Sequence, residues 1–261
     1  MTNKFIFLGT GCSIGTPVIG CDCDVCKSKD KKNNRLRPAG LFCVNGKKIL
    51  VDCGPDFRSQ ALKYNIKDID ALFLTHLHYD HSGGIDDLRV FYFINNKPIN
   101  CFLSEETLEE LKQRCFYFFN PIDDIPTIDL KFDFHLFEDD FGEVDFYDMK
   151  ISYFSYFQEK IKVYGLKIGD LAYVTDIKKF DGRLIDELSN VNTLIISAIK
   201  KDPTKAHFGL DEAVSFAREV QAKKTYITHL CHDLDHEKTN KSLPSDICLA
   251  YDGLEIDIGN V

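Results

Sequence analysis

The apolar run Ala71–Thr75 ends abruptly on His76, and within six positions the chain presents His76, His78, Asp80 and His81, followed by Gly83 and Gly84. The run has the composition of a β-strand, so four potential metal ligands sit where a rigid element gives way to a loop that can turn side chains inward. Imidazoles suit zinc, iron or manganese, and an added carboxylate suits a hydrolytic site that keeps an open position. The spacing lets His76 and His78 reach one ion while Asp80 and His81 reach a neighbour. The glycines allow a tight backbone turn into the next helix. A solvated histidine-rich turn is the plain alternative. With only eight histidines in 261 residues, however, chance rarely places three of them and an aspartate at these spacings.

The order of patterns along the chain frames this motif. Strand-like runs occupy 4–8, 40–44, 48–51 and 71–75, bounded by Gly, Asn or Asp. Helical periodicity follows at 56–64, 84–93 and 104–118, the last with Ser104 and Glu106 suited to cap it. Further strands are expected at 129–137, 149–154, 163–168, 171–175 and 193–197. A helix at 210–220 precedes a strand at 225–228. The segment 247–258 reads as strand, turn at Asp252 and Gly253, then strand. No repeat or linker interrupts the series, which predicts one domain over 1–261. Strand-rich halves with interspersed helices suggest two packed sheets flanked by helices.

Composition narrows the function. Hydrophobic residues make up 44% and charged residues 28%, as in an ordinary globular chain. A net charge of −9 argues against broad binding to nucleic acid or anionic membrane. No stretch has the length of a membrane span, and the first apolar run is too short for a signal-peptide core, so a cytoplasmic location is expected. Of ten cysteines, Cys21, Cys23 and Cys26 crowd together too tightly to pair among themselves. Cys12, Cys43, Cys53, Cys101, Cys115 and Cys248 lie in apolar segments and read as reduced core residues. The aromatic cluster Phe116–Phe119 is expected to pack in the core below its helix, with a substrate entrance or dimer contact as alternatives.

His-x-His-x-Asp-His after a strand resembles the signature of the metallo-β-lactamase superfamily. Phe7–Gly11, Ile49–Gly54 and Ala172–Asp176 extend the likeness over nearly the whole chain. The resemblance implies an α+β, four-layer αββα fold and two divalent ions in the active site, drawn from zinc, manganese or iron. It assigns Asp176 as the carboxylate bridging the ions, His229 as a ligand of the second, and Asp52 as the carboxylate orienting a ligand imidazole.

Cys21-x-Cys23-x-x-Cys26 carries a narrower resemblance, to the phosphodiesterase of bacterial phosphonate degradation, which acts on phosphoribosyl cyclic phosphate. That subgroup holds a structural zinc with these three thiolates and a distant histidine, here His232. Three thiolates and one imidazole make a closed tetrahedral shell whose binding energy contributes to folding. A redox-active or merely reduced cluster is the alternative; Cys231 competes with His232 but reads as a packing residue. The resemblance also assigns His207 as general acid or as donor to a phosphoryl oxygen. One position departs from the pattern: Gln158 stands where the family supplies a histidine ligand. A neutral amide oxygen predicts weaker binding of the first ion, a preference for manganese or iron, replacement by Glu159, or a single-ion site. His135 and His236 read as structural or surface residues.

The expected function is metal-dependent hydrolysis of a small or cyclic phosphodiester, with Asp80 and His207 at the reacting centre. Three alternatives stand beside it. One is hydrolysis of a lactone or thioester. Another is a transfer-RNA 3′-end ribonuclease, although no Gly-rich or basic arm is present. The last is a metal-containing binding protein weakened catalytically by Gln158. The resemblance further implies a homodimer; neither a membrane nor a nucleic acid is expected as partner.

Overall fold

The computed structural model describes residues 2–119, 131–259 and 261. Its strands are β1 (Lys4–Gly9), β2 (Ala39–Val44), β3 (Lys47–Val51), β4 (Ala71–Phe73), β5 (Ile99–Leu103), β6 (Phe132–Leu136), β7 (Phe141–Phe146), β8 (Met149–Gln158), β9 (Ile161–Ile168), β10 (Leu171–Val174), β11 (Thr193–Ser197), β12 (Lys224–Thr228), β13 (Ile247–Leu249) and β14 (Glu255–Asp257). Two seven-stranded sheets result among the described residues, ordered β14-β1-β2-β3-β4-β5-β6 and β13-β12-β11-β10-β9-β8-β7. Each is antiparallel along one half and parallel along the other, with β3 to β6 parallel in the first and β10 to β13 parallel in the second.

Alternation along β3 shows why the sheets stack. Ile49 and Val51 face the second sheet, joining Phe5, Phe73, Tyr173 and Ile195 in the central core, while Leu50 faces outward. A parallel strand buried on both faces needs such a continuous apolar run. On the outer side of the first sheet lie helices α1 (Phe57–Lys63), α2 (Tyr79–Ser82), α3 (Arg89–Asn95), α4 (Glu105–Arg114) and α5 (Phe116–Phe119). Helices α6 (Gly182–Glu187), α7 (Leu210–Val220) and α8 (His236–Asn240) belong to the other half of the chain. Phe57, Phe91 and Leu111 seal the first sheet, and Leu184, Ala213 and Phe216 seal the second. The four-layer αββα arrangement expected from the motifs is the one observed.

Several local expectations change. The helix expected over 104–118 is broken: α4 ends at Arg114 and α5 follows as a single turn, with Ser104 capping α4 through its hydroxyl. In the aromatic cluster Phe118 and Phe119 pack against the core, while Phe116 and Tyr117 are largely exposed. The helix expected over 84–93 begins as a 3-10 turn at Ile85–Leu88. Residues 129 and 130 of the strand expected over 129–137 lie outside the described residues. Strands β5 and β7 have no counterpart in the sequence reading. Glu143 and Asp145 give β7, an edge strand, the polarity of a loop. Cys12, Cys53 and Cys101 are buried as expected, whereas Cys43, Cys115 and Cys248 are only half-buried. Among the described residues no helix is long and apolar enough to cross a membrane.

Candidate metal centre

The parallel strands deliver their carboxyl ends to one edge of the sandwich. Val51 pairs with Phe73, and Val174 with Ile196, so the residues just beyond β3, β4 and β10 emerge side by side. Beyond β12 comes His229. Asp52, Asp176 and His229 each take a left-handed backbone, with φ of +61°, +55° and +62°. A residue with a Cβ adopts that conformation at a cost, and such positions gather where side-chain direction matters.

His81 lies at the middle of the cluster. Its Nδ1 is 2.6 Å from Oδ2 of Asp52, and its Nε2 is 3.0 Å from Oδ2 of Asp176 and 3.4 Å from Oδ2 of Asp80. His229 Nε2 lies 3.3 Å from Asp80 and 3.4 Å from Asp176. His76 Nε2 and His78 Nδ1 converge to 2.9 Å. His76, His81 and Asp176 form one set of converging ligand atoms, Asp80, His81 and His229 a second, and Asp176, His207 and His229 a third. His207 thus offers a nitrogen at ligating range, which its sequence context did not assign. Every member but His78 and His207 is buried.

Gln158 is buried as well. Its amide nitrogen donates to Oδ1 of Asp176 at 3.0 Å and lies 3.0 Å from Nε2 of His207, while its carbonyl oxygen has no partner. Glu159 is exposed in the β8–β9 turn and does not enter the centre. Two hydroxyls that the sequence reading passed over support the ligands. Thr75 Oγ1 contacts Asp52 and His76, and Thr175 Oγ1 donates to Asp176. A signal for them was present, since a threonine directly precedes each of His76, Asp176 and His229. His135 is exposed against Phe102, and His236 is buried in α8; neither approaches the centre.

The electrostatics fit a cation. Burial pushes the Asp80 and Asp176 carboxyls upward, but the facing imidazoles override it and hold both below the usual carboxylate range. Burial draws His76 and His78 down, so both are neutral and able to ligate. His81 moves the other way: burial opposes its charge, yet Asp176, Asp52 and Asp80 raise it. The ring nitrogen Nε2 of His81 faces two carboxylates without meeting hydrogen-bond geometry with either, and Nδ1 of His229 is also unpartnered. Buried groups of this kind are costly unless paired or coordinated. The donor set therefore suits divalent ions.

A family model described as the beta-lactamase superfamily domain matches residues 47–230. The chain belongs to the metallo-β-lactamase superfamily. Within this superfamily it is similar to a solved diphosphatase from the PhnP family, with 36% identity, a TM-score of 0.90, and coverage of 98% of this chain and 97% of that one. It shares 32% identity over 257 residues with a protein of Porphyromonas gingivalis named octanoyltransferase, covering 97% of this chain and 51% of that one. A ribonuclease Z of Methanopyrus kandleri is 36% identical over 81 residues, 30% of this chain and 23% of its own length. The chain thus spans about half the length of the octanoyltransferase it matches, and less of the ribonuclease.

A second ligand set of this metallo-β-lactamase chain lies apart from the first. Cys21 Sγ and Cys23 Sγ are each 3.4 Å from Nδ1 of His232, and Cys26 Sγ is 3.5 Å from it. Four-coordinate zinc with ordinary Zn–S and Zn–N lengths requires S···N edges of about 3.5 Å, so the spacing fits. Cys231 stands outside the set, with its sulfur 2.8 Å from that of Cys12. Arg35, missed in the sequence, is fully buried and donates to the carbonyls of Cys231 and Leu234, fixing the loop that presents His232.

Proposed function

We propose that this metallo-β-lactamase-superfamily hydrolase is a metal-dependent phosphodiesterase acting on a small phosphate ester or anhydride. The observation that carries the reading is the whole-length likeness to a protein named a diphosphatase, combined with ligand sets able to hold two ions. His76, His78, Asp80, His81, Asp176 and His229 would hold them, with Gln158 and His207 beside. Bound divalent ions supply Lewis acidity and a water of lowered pKa.

The chain's own residues do the rest. Asp52 and Thr75 fix the rings of His81 and His76. Gln158 donates toward Nε2 of His207, which leaves the imidazole proton on Nδ1. Burial lowers His207 to about 4, so near neutral pH it is an uncharged hydrogen-bond donor. With Nδ1 facing Asp176 at 3.2 Å, that favours a role in orienting the centre through Asp176 and Gln158 over delivery of a full proton.

Purified protein assayed on bis(p-nitrophenyl) phosphate with added zinc, manganese or iron tests the reading. Turnover should require metal, stop on chelation and vanish in His76→Ala. Full activity in metal-free protein would refute it.

A second reading, ribonuclease action on transfer-RNA precursors, has support in the partial ribonuclease Z match. Cleavage of a precursor transcript faster than of the chromogenic ester would favour it. Acyl transfer, suggested by the octanoyltransferase, fits less well. The cleft at the centre is lined by Lys160, Lys162, Glu106 and Glu110 beside Leu77 and Ile161, so an octanoyl chain entering it would have to displace water from four charged groups.

A further inference from the structure

A cleft of about 310 Å³ opens directly onto the metal centre, with His76 and His78 in its lining. One wall is the β8–β9 turn, which contributes Lys160 and Lys162; the other is the first turns of α4, which contribute Glu106 and Glu110. The four charges are not equivalent. Lys162 is held by Asp140 at 2.9 Å. Its own backbone N–H, at the start of α4, holds the Glu106 carboxyl below its usual range. Lys160 is exposed at the tip of the turn and, among the described residues, has no hydrogen bond or ion pair in the structure. Gln158, two residues before it, touches Asp176 and His207. Lys160 therefore lines the same cleft as His76 and His78, and its ammonium is uncommitted.

Because His76 and His78 line it, this cleft is the space next to the centre that a substituent on a phosphorus bound there could enter. A neutral aryl or alkyl group there would leave the ammonium without a partner, whereas a second phosphoryl group would satisfy it. Glu110, also exposed, can accept from hydroxyls of the same group.

We propose that the cleft receives the leaving group, that Lys160 binds a phosphoryl group carried on it, and that the enzyme thereby prefers linear substrates whose departing half is a phosphate monoester of a hydroxylated molecule. This rests on the phosphodiesterase reading. In the reaction, a water oxygen bonds to one phosphorus as the bridging P–O bond breaks; the bridging oxygen leaves on the monoester held by Lys160, and the water's two protons end on the two phosphate products or in solvent.

The test uses metal-loaded protein and the variants Lys160→Ala and Lys160→Arg. Adenosine monophosphate stands for the departing half, and inorganic phosphate reports the metals alone. By titration calorimetry, Lys160→Ala should weaken adenosine monophosphate about tenfold, as for loss of one charge-assisted hydrogen bond, and Lys160→Arg should restore it. Phosphate affinity should not change. With P1,P2-di(adenosine-5′) diphosphate as substrate, Lys160→Ala should raise KM and spare kcat. Equal affinity of wild type and Lys160→Ala for adenosine monophosphate overturns the assignment. Lys160-dependent binding without turnover of any ester would instead overturn the phosphodiesterase reading and leave the cleft as a binding site.

Discussion

Gln158 donates to the carboxylate of Asp176 with the same amide nitrogen that lies 3.0 Å from Nε2 of His207. One neutral side chain therefore links the acid shared by two of the converging ligand sets to the imidazole beside it. A histidine at this position would present a ring nitrogen to a metal; the amide presents a donor to two neighbours and a buried carbonyl oxygen with no partner. Gln158→Ala should lower kcat by about 10- to 100-fold, the usual cost of losing a group that orients a site. Elemental analysis of the variant should show unchanged metal content. Loss of one equivalent of metal along with activity would make Gln158 a ligand and contradict this account.

Asp52 controls the ring of His81 across 2.6 Å, and both are fully buried. Thr75 donates to the same carboxylate through its backbone and its hydroxyl. Asp52→Asn keeps the shape but removes one of the three charges, with those of Asp176 and Asp80, that raise His81. It should weaken active-site metal binding by about 10- to 100-fold. Competition with a chromogenic chelator measures this, and an unchanged release curve would show that the pair has no part in binding.

These two relationships also mark how far the sequence could be read. His76, His78, Asp80 and His81 were legible because they are contiguous, so spacing alone implied convergence. Asp176, His229 and Asp52 needed the resemblance, since each is an ordinary turn residue until parallel pairing sets its strand end beside the others. The role of Gln158 was not legible: nothing in a chain reports which way an amide faces. The break between α4 and α5 was hidden because Cys115 and the aromatics after it continue the apolar period. Strand β7 was hidden by its acidic outward residues.

His207 gives a prediction about pH. Burial lowers it to about 4, with Asp176 opposing and His229 assisting, so it is uncharged throughout the range where the enzyme would be assayed. A group that had to arrive protonated would make kcat fall as pH rises through its pKa; a neutral donor does not. Between about pH 6 and 8 the wild-type and His207→Ala profiles should have the same shape, with the variant lower by about 10²- to 10³-fold. An alkaline limb near pH 7 that disappears in His207→Ala would restore the general-acid role.

The cysteine knot yields the last prediction, and it concerns stability. Zinc would join residues 21–26 to His232, which lies three positions after His229, so the knot braces the loop that carries an active-site ligand. Removing one thiolate opens the shell. For a chain of this size each kcal/mol shifts Tm by about 2–4 °C, and losing a closed site worth a few kcal/mol should lower Tm by about 5–15 °C. Cys23→Ser should show that drop together with the loss of about one zinc per chain. The thiols also set a pH signature. Burial raises Cys26 to about 11, whereas the Cys26 backbone N–H and His232 lower Cys23 to about 6. At pH 7 the metal-free knot therefore still carries a proton on Cys26, which zinc must displace. Binding should release protons, measurable by calorimetry in buffers of different ionisation enthalpy, and affinity should fall as pH is lowered. Binding heats independent of buffer, with Cys23→Ser as stable as wild type, would mean that these thiols hold no metal.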